Sequence, residues 1–240
     1  MSNVFRNIRK KLASENNFQS YLRYAIGEVV LVVVGILIAL SINNWNDHRK
    51  DVVKEKELLL SLRSNLMINT DILKTDMKQY QSYSNDCDSI LKAIKFKNLE
   101  MDSLPYYFHY ARLPFNIKLS YAGYESLKSI GFDIIYNNTL RNEIINLFEF
   151  TYSETTDKLN TAFSNNAPFI ETYFTSNFEN TLSGITENPN NLNKVINDPL
   201  FKNIISLKKN LFGWSSYLAN SCNKENVRVI QLINDELNKM

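Results

Sequence analysis

"YAIGEVVLVVVGILIALSINNWN", Tyr24–Asn46, decides how the rest of this 240-residue chain is read. Between Tyr24 and Ile42 it carries one charge, Glu28. As a helix, Tyr24–Ile42 measures about 28 Å at roughly 1.5 Å per residue, close to the ~30 Å hydrocarbon core of a bilayer. The uncharged part, Val29–Ile42, would reach only about 21 Å. Glu28 is therefore placed within about a turn of the interface, near Arg23, where a carboxylate costs far less than at mid-bilayer. Tyr21 and Tyr24 on one side and Trp45 on the other fit the aromatic belts of the two interfaces. Ala39–Ser41 gives a weak A-x-A-like cleavage site, but the apolar run exceeds the ~7–15 residues of a signal peptide. The reading is an uncleaved anchor. The aromatic and basic flanks argue against the core helix of a soluble protein.

Working outward, residues 1–23 hold Arg6, Arg9, Lys10, Lys11 and Arg23 against Glu15, a net +4 in a chain whose total is +2. Arg49, Lys50, Lys54 and Lys56 follow the span. The positive-inside rule then favours, by a thin margin, a cytoplasmic N-terminus and an exported C-terminal domain. Val4, Phe5, Ile8 and Leu12 share a face ringed by the basic residues, the pattern of a short helix lying on an anionic leaflet, and Ser14–Asn17 is a natural joint after it. The expected organisation is a basic amphipathic segment over 1–23, a transmembrane helix over 24–45 and an exported domain over 46–240.

At about 100° per residue, Glu28, Gly35 and Ala39 fall within about 20° of one line along the span. Gly35 and Ala39 form a small-x-x-x-small pair, which lets a second helix approach closely. This face, capped by Glu28, is the expected surface for self-association.

The chain has 6 Gly and 5 Pro, too few for a turn-rich β architecture, so an all-α fold is expected. Leu59, Leu66, Leu73, Tyr80, Cys87 and Ile94 recur at intervals of seven. Leu62, Tyr83 and Ile90 supplement them, while Asn69 and Asp76 interrupt the second row. This spacing predicts a helix of about 45 residues packed inside a bundle, able to run directly out of the transmembrane helix. Asp102 or Ser103 ahead of Pro105 starts a short helix to about Arg112. Ile117, Leu119 and Tyr121 alternate, but a lone strand has no partner, so the segment reads as loop. Tyr124–Ile130 is helical and closed by Gly131. Asn137 or Asn138 caps a helix to about Phe163, another covers about Pro168–Leu182, and a last one keeps a three-four rhythm through Leu200, Ile204, Leu207, Leu211, Trp214, Leu218, Cys222, Val229 and Leu232, with Gly213 and "NSCNKEN" able to bend it. The economical architecture is one N-terminal transmembrane helix followed by a soluble up-and-down bundle of long helices.

"FRNIRKKL" (Phe5–Leu12), the block Tyr24–Asp47 and "YESLKSIGFDIIYNNTLRNEIINLFE" (Tyr124–Glu149) resemble the recurring blocks of a domain-of-unknown-function family of small single-span membrane proteins from Gram-negative bacteria. The resemblance is strongest over the first 50 residues, moderate in the middle and, over the last 60, confined to helical character. It implies an integral membrane protein with a soluble helical domain and brings no activity, cofactor or catalytic residue with it.

The residues themselves supply little chemistry. No HExxH, CxxC, GxSxG or P-loop pattern occurs, and the two histidines, His48 and His109, form no ligand pair. Neither cofactor nor metal is implied, and the chain does not read as an enzyme. A net charge of +2 gives no case for nucleic acid. In an antiparallel bundle Cys87 lies about 15 Å from the top of its helix and Cys222 about 35 Å down the last one. That weighs against a disulfide, which needs Cα atoms within about 7 Å. Tyr106, Tyr107, His109 and Tyr110 belong to an aromatic cluster that is the best candidate for a ligand or partner surface, although such residues also build cores. Glu143, Glu149, Glu154 and Asp157 follow helical spacing and read as a solvated face. The expected function is a non-enzymatic anchored interaction or scaffold domain in the bacterial inner membrane and periplasm. Its expected partners are the lipid bilayer, a second copy of itself or an envelope protein. The alternative is a ligand-sensing module that signals through a partner membrane protein.

Overall fold

The computed structural model describes residues 18–99, 102–179 and 184–240; the predicted surface helix and its joint at Ser14–Asn17 lie outside them. It is 85% helical, and among the described residues the only β feature is an isolated bridge between Phe178 and Pro189, so the fold is all-α. Seven α-helices are named here: α1 Phe18–Phe96, α2 Leu104–Arg112, α3 Ala122–Ile130, α4 Asn138–Ile145, α5 Ser153–Asn177, α6 Leu192–Asn197 and α7 Pro199–Leu237. The chain divides into two compact units between Lys54 and Glu55.

In the first unit the described residues are helical, and the apolar side chains from Val29 to Trp45 are exposed. No residue of the most apolar eighteen-residue window is buried. The Ser41 hydroxyl donates to the Leu37 carbonyl at 2.8 Å, which satisfies it within the helix.

The second unit is built on an antiparallel pair, the Glu55–Phe96 part of α1 against α7. Side-chain bonds fix the register: Arg63 to Asn234 at 3.1 Å, Ser216 to the Met77 carbonyl at 2.9 Å, Ser84 to the Lys209 carbonyl at 3.0 Å, and Lys209 to Asp88 at 2.5 Å. The heptad row of α1 is the seam, with Leu59, Leu66, Leu73, Tyr80 and Cys87 all buried. Cys87 and Cys222 are both buried and free, since the register sets them about fifteen residues, roughly 20 Å, apart along the pair.

Asn69, an interruption in the predicted seam, is fully buried. Leu113–Tyr121 crosses between helices with Phe115 and Ile117 buried and no strand beside it. Buried backbone groups need partners, and the helices supply them from side chains. Asn69 accepts from the Ser120 N–H at 2.8 Å and donates to the Ser120 carbonyl at 2.9 Å. The Tyr80 hydroxyl accepts from the Asn116 N–H at 2.9 Å and donates to the Asn116 carbonyl. Lys208 donates to the Leu113 carbonyl at 2.5 Å. The network continues inward: Asn69 donates to the Tyr152 hydroxyl, which donates to Asn226, whose amide donates to the Leu66 carbonyl and Thr70.

Two differences from the sequence reading have clear causes. Pro168 does not separate two helices; α5 continues through it to Asn177, held by buried Leu159, Ile170, Tyr173 and Phe174 on either side. Tertiary packing here outweighs a local cost of about 3 kcal/mol. In α7 the buried row is Phe201, Ile204, Ile205, Lys208, Phe212, Ser215, Ser216, Ala219, Cys222, Asn226, Val229 and Ile233, so Leu200 and Trp214 point outward. Gly213 and Asn220–Asn226 do not break this helix. Asn137 caps α4 as the sequence suggests, accepting from the Leu140 N–H; Ser103 takes the N-cap position of α2 without a side-chain cap bond; and Asp198, not anticipated as a cap, accepts from the Leu200 N–H and the Tyr173 hydroxyl.

Gly123 marks a close approach of α3 to α1. A Cβ there would stand 3.1 Å from the Leu62 Cα and 3.2 Å from the Asn65 Cβ. Ala normally gains about 1 kcal/mol over Gly inside a helix, but overpacking against backbone costs about 1–3 kcal/mol. Gly123→Ala is therefore expected to lower the unfolding midpoint of the full chain in detergent, whereas Gly35→Ala, where a Cβ meets nothing within 4 Å, should not. Parallel thermal melts read the contrast.

Candidate functional site

Leu140, Ile144, Phe148 and Tyr152 are all buried, at a strict spacing of four. On a 3.6-residue helix that spacing drifts about 40° per step. The backbone absorbs the drift by widening into a π-helical segment, Asn146–Tyr152, between α4 and α5. Phe148 stacks on Tyr124 with ring centroids 4.5 Å apart, and Tyr121 packs edge-on against Phe148 and Tyr152. Between Phe148 and Tyr152, Glu149 and Phe150 are carried to the surface. π-helical turns recur at functional sites because they reposition side chains in this way.

The outward residues border an open groove of about 690 Å³. One wall is Glu149, Phe150, Ser153, Glu154, Asp157, Lys158, Thr161 and Ala162, and the other is Trp214 of α7. Phe150 is 67% exposed and Trp214 37%, a large aromatic surface left in water. Glu149 accepts from the Tyr124 hydroxyl at 2.8 Å and lies 3.4 Å from Lys128. The Tyr124 hydrogen bond, with Lys128 beside it, holds its carboxyl below the usual carboxylate range, so it is anionic at neutral pH. Glu154 pairs with Lys158 at 2.6 Å, and Asp157 accepts from Ser153 at 3.4 Å. Glu149, Glu154 and Asp157 thus share one groove, more specific than the solvated face read from spacing. Glu143 instead pairs with Arg228.

The aromatic cluster singled out from sequence is divided among several environments. Tyr106 is exposed, Tyr107 packs against the core, and Tyr110 stacks on Tyr83 at 5.3 Å. His109 Nδ1 lies 4.0 Å from Glu187 Oε1. Glu187 is buried and joined to Arg112 at 2.9 Å, while Arg112 also grips Glu171 at 2.9 Å. The Glu187 N–H donates to the Pro105 carbonyl at 2.9 Å, so this cluster fastens the segment before α6 onto α2. Glu28, Gly35 and Ala39 lie in the exposed helix of the first unit, with open space over Gly35. Among the described residues no three His, Cys, Asp or Glu side chains are grouped to hold a metal ion.

One further titratable group was not legible as such in the sequence. Lys208 is buried, its ammonium 4.3 Å from the Phe212 ring centroid and 5.5 Å from that of Phe115. Burial lowers its pKa from 10.5 to about 8. Below pH 8 the fold carries the cost of a buried charge. Between about 8 and 10.5 the unfolded chain holds the proton and the folded chain does not, so stability rises with pH in that window. The Tm of the native chain, relative to Lys208→Met, is expected to climb from pH 7 to pH 9.5. A pH-independent difference between the two melts would contradict this placement of the charge.

Comparison with known proteins adds a family and no activity. No curated protein and no solved structure matches the chain. The model of a family of unknown function, DUF6090, matches residues 28–208, well over half of the sequence. The chain is therefore a member of the DUF6090 family.

Proposed function

We propose that this protein is a single-pass membrane protein of the bacterial inner membrane whose exported helical domain is a non-enzymatic interaction module. The observation that carries the reading is the exposed apolar helix of the first unit, in which no residue of the most apolar eighteen-residue window is buried. An apolar surface of that size is an interaction site, and its length suits a bilayer. The basic residues before it support a cytoplasmic N-terminus and a periplasmic domain.

Glu28, Gly35 and Ala39 form the face on which two copies would meet in the membrane. Gly35 leaves the close-approach space that such a contact needs. The module reading rests on the domain's architecture: a bundle stabilised from within by a polar network, with an aromatic and acidic groove on its outside.

Two measurements test this. The native chain is expected to resist alkaline extraction from membranes. An exposed cysteine introduced as Lys224→Cys should react with a membrane-impermeant maleimide in spheroplasts, against a low background because Cys87 and Cys222 are buried. Labelling only after lysis would reverse the orientation. Crosslinking in native membranes should trap a dimer that Gly35→Leu abolishes; a dimer indifferent to that change would remove the small-residue face from the interface.

A further inference from the structure

We propose that the groove between the π-helical segment and α7 binds a basic, arginine-bearing segment of a partner protein. The proposal rests on reading the domain as an interaction module and names the chemistry of what it takes. Three features of the groove converge on a cationic peptide.

The first is its length. The wall residues from Glu149 to Ala162 follow one helical face over about 20 Å. An extended segment of six residues spans about 20 Å as well. A groove that is open along such a length suits a peptide better than a compact ligand held in a closed cavity.

The second is its aromatic surface. Phe150 and Trp214 stay exposed although the bundle buries Phe148 and Tyr152 two residues either side of Phe150. Within the π-helical segment Phe150 turns out while Phe148 and Tyr152 stay in. Aromatic faces attract guanidinium groups, and Trp does so best. Exposed Trp is also a frequent anchor of protein interfaces.

The third is charge. Glu149, Glu154 and Asp157 line the groove against one cation, Lys158. The internal pairs, Glu154 with Lys158 and Glu149 with Lys128, are exposed and worth little, so an incoming guanidinium can replace them without a large loss. Asp157 accepts from the neutral Ser153 hydroxyl at 3.4 Å, and it offers the central carboxylate. Arg fits such a site better than Lys because it can stack on a ring and bridge a carboxylate with the same planar group.

Trp214 is its own reporter. The chain has two tryptophans, so Trp45→Phe leaves Trp214 alone. The full-length Trp45→Phe protein in uncharged maltoside micelles is titrated with hexa-arginine and with hexa-citrulline, the neutral analogue of the same shape. Hexa-arginine is expected to give a saturable change in Trp214 emission that weakens with added salt, and hexa-citrulline none. Glu154→Gln with Asp157→Asn should weaken binding by about fivefold or more, and so should Phe150→Ala. Glu57→Gln with Asp71→Asn removes the same charge from exposed sites on α1 and should leave binding unchanged. The proposal is overturned by the absence of a saturable signal, by an equal response to hexa-citrulline, or by equal weakening from the α1 pair. None of these outcomes touches alkaline extraction or maleimide labelling, so the groove can fail while the anchored domain stands.

Discussion

A half-buried segment of chain without a strand beside it is the constraint on which the domain depends. Leu113–Tyr121 carries Phe115 and Ile117 into the core, and this brings its backbone at Leu113, Asn116 and Ser120 against the helices. In a sheet a neighbouring strand would meet those groups. Here side chains do: Asn69 and Tyr80 from α1, and Lys208 from α7. Each unsatisfied buried donor or acceptor would cost about 1–3 kcal/mol. The three side chains therefore occupy core positions that hydrophobic patterning alone would give to Leu or Ile. The register of α1 against α7 is in part set by the need to bring them to one place.

That constraint also explains where the sequence was legible. The heptads of α1 report burial against a single partner, and the row from Leu59 to Cys87 is buried as the spacing implies. Asn69 reads as a flaw in the pattern because a pattern counts hydrophobicity and not hydrogen bonds. In α7 the same blindness shifts the apparent seam. The stripe read from sequence shares Ile204, Cys222 and Val229 with the true one but runs through Leu200 and Trp214, while the true stripe passes through Lys208, Ser215 and Asn226. Short-range signals were reliable where the chemistry is local: Asn137 as a cap, Gly131 with φ of 109° after α3, and Pro105 in the first turn of α2.

The groove was harder to read, again for a physical reason. Residues spaced by four satisfy an α-helical template well enough that nothing in Leu140–Tyr152 announces a wider turn. Only the packing of Phe148 and Tyr152 against Tyr121 and Tyr124 forces it. Phe150 and Trp214 lie on elements far apart in sequence, and each is one aromatic among many. The cluster around His109 was easier to notice because its members are adjacent in the chain, and adjacency in sequence puts neighbours on different faces of a helix. Accordingly Phe108 points into the core while Tyr106 faces solvent.

The side-chain cradle around Leu113–Tyr121 has a consequence for how this chain can change. Backbone amides and carbonyls are the same whatever residue bears them, so Asn69 and Tyr80 recognise Ser120 and Asn116 through atoms that substitution does not alter. Exposed positions of the segment, such as Lys118, can vary freely. The helices that hold the segment cannot. Apart from the buried Phe115 and Ile117, the mutational fragility of the loop is thus located outside it, at three positions on two helices, and variation in the segment's own surface residues is a poor guide to its structural weight.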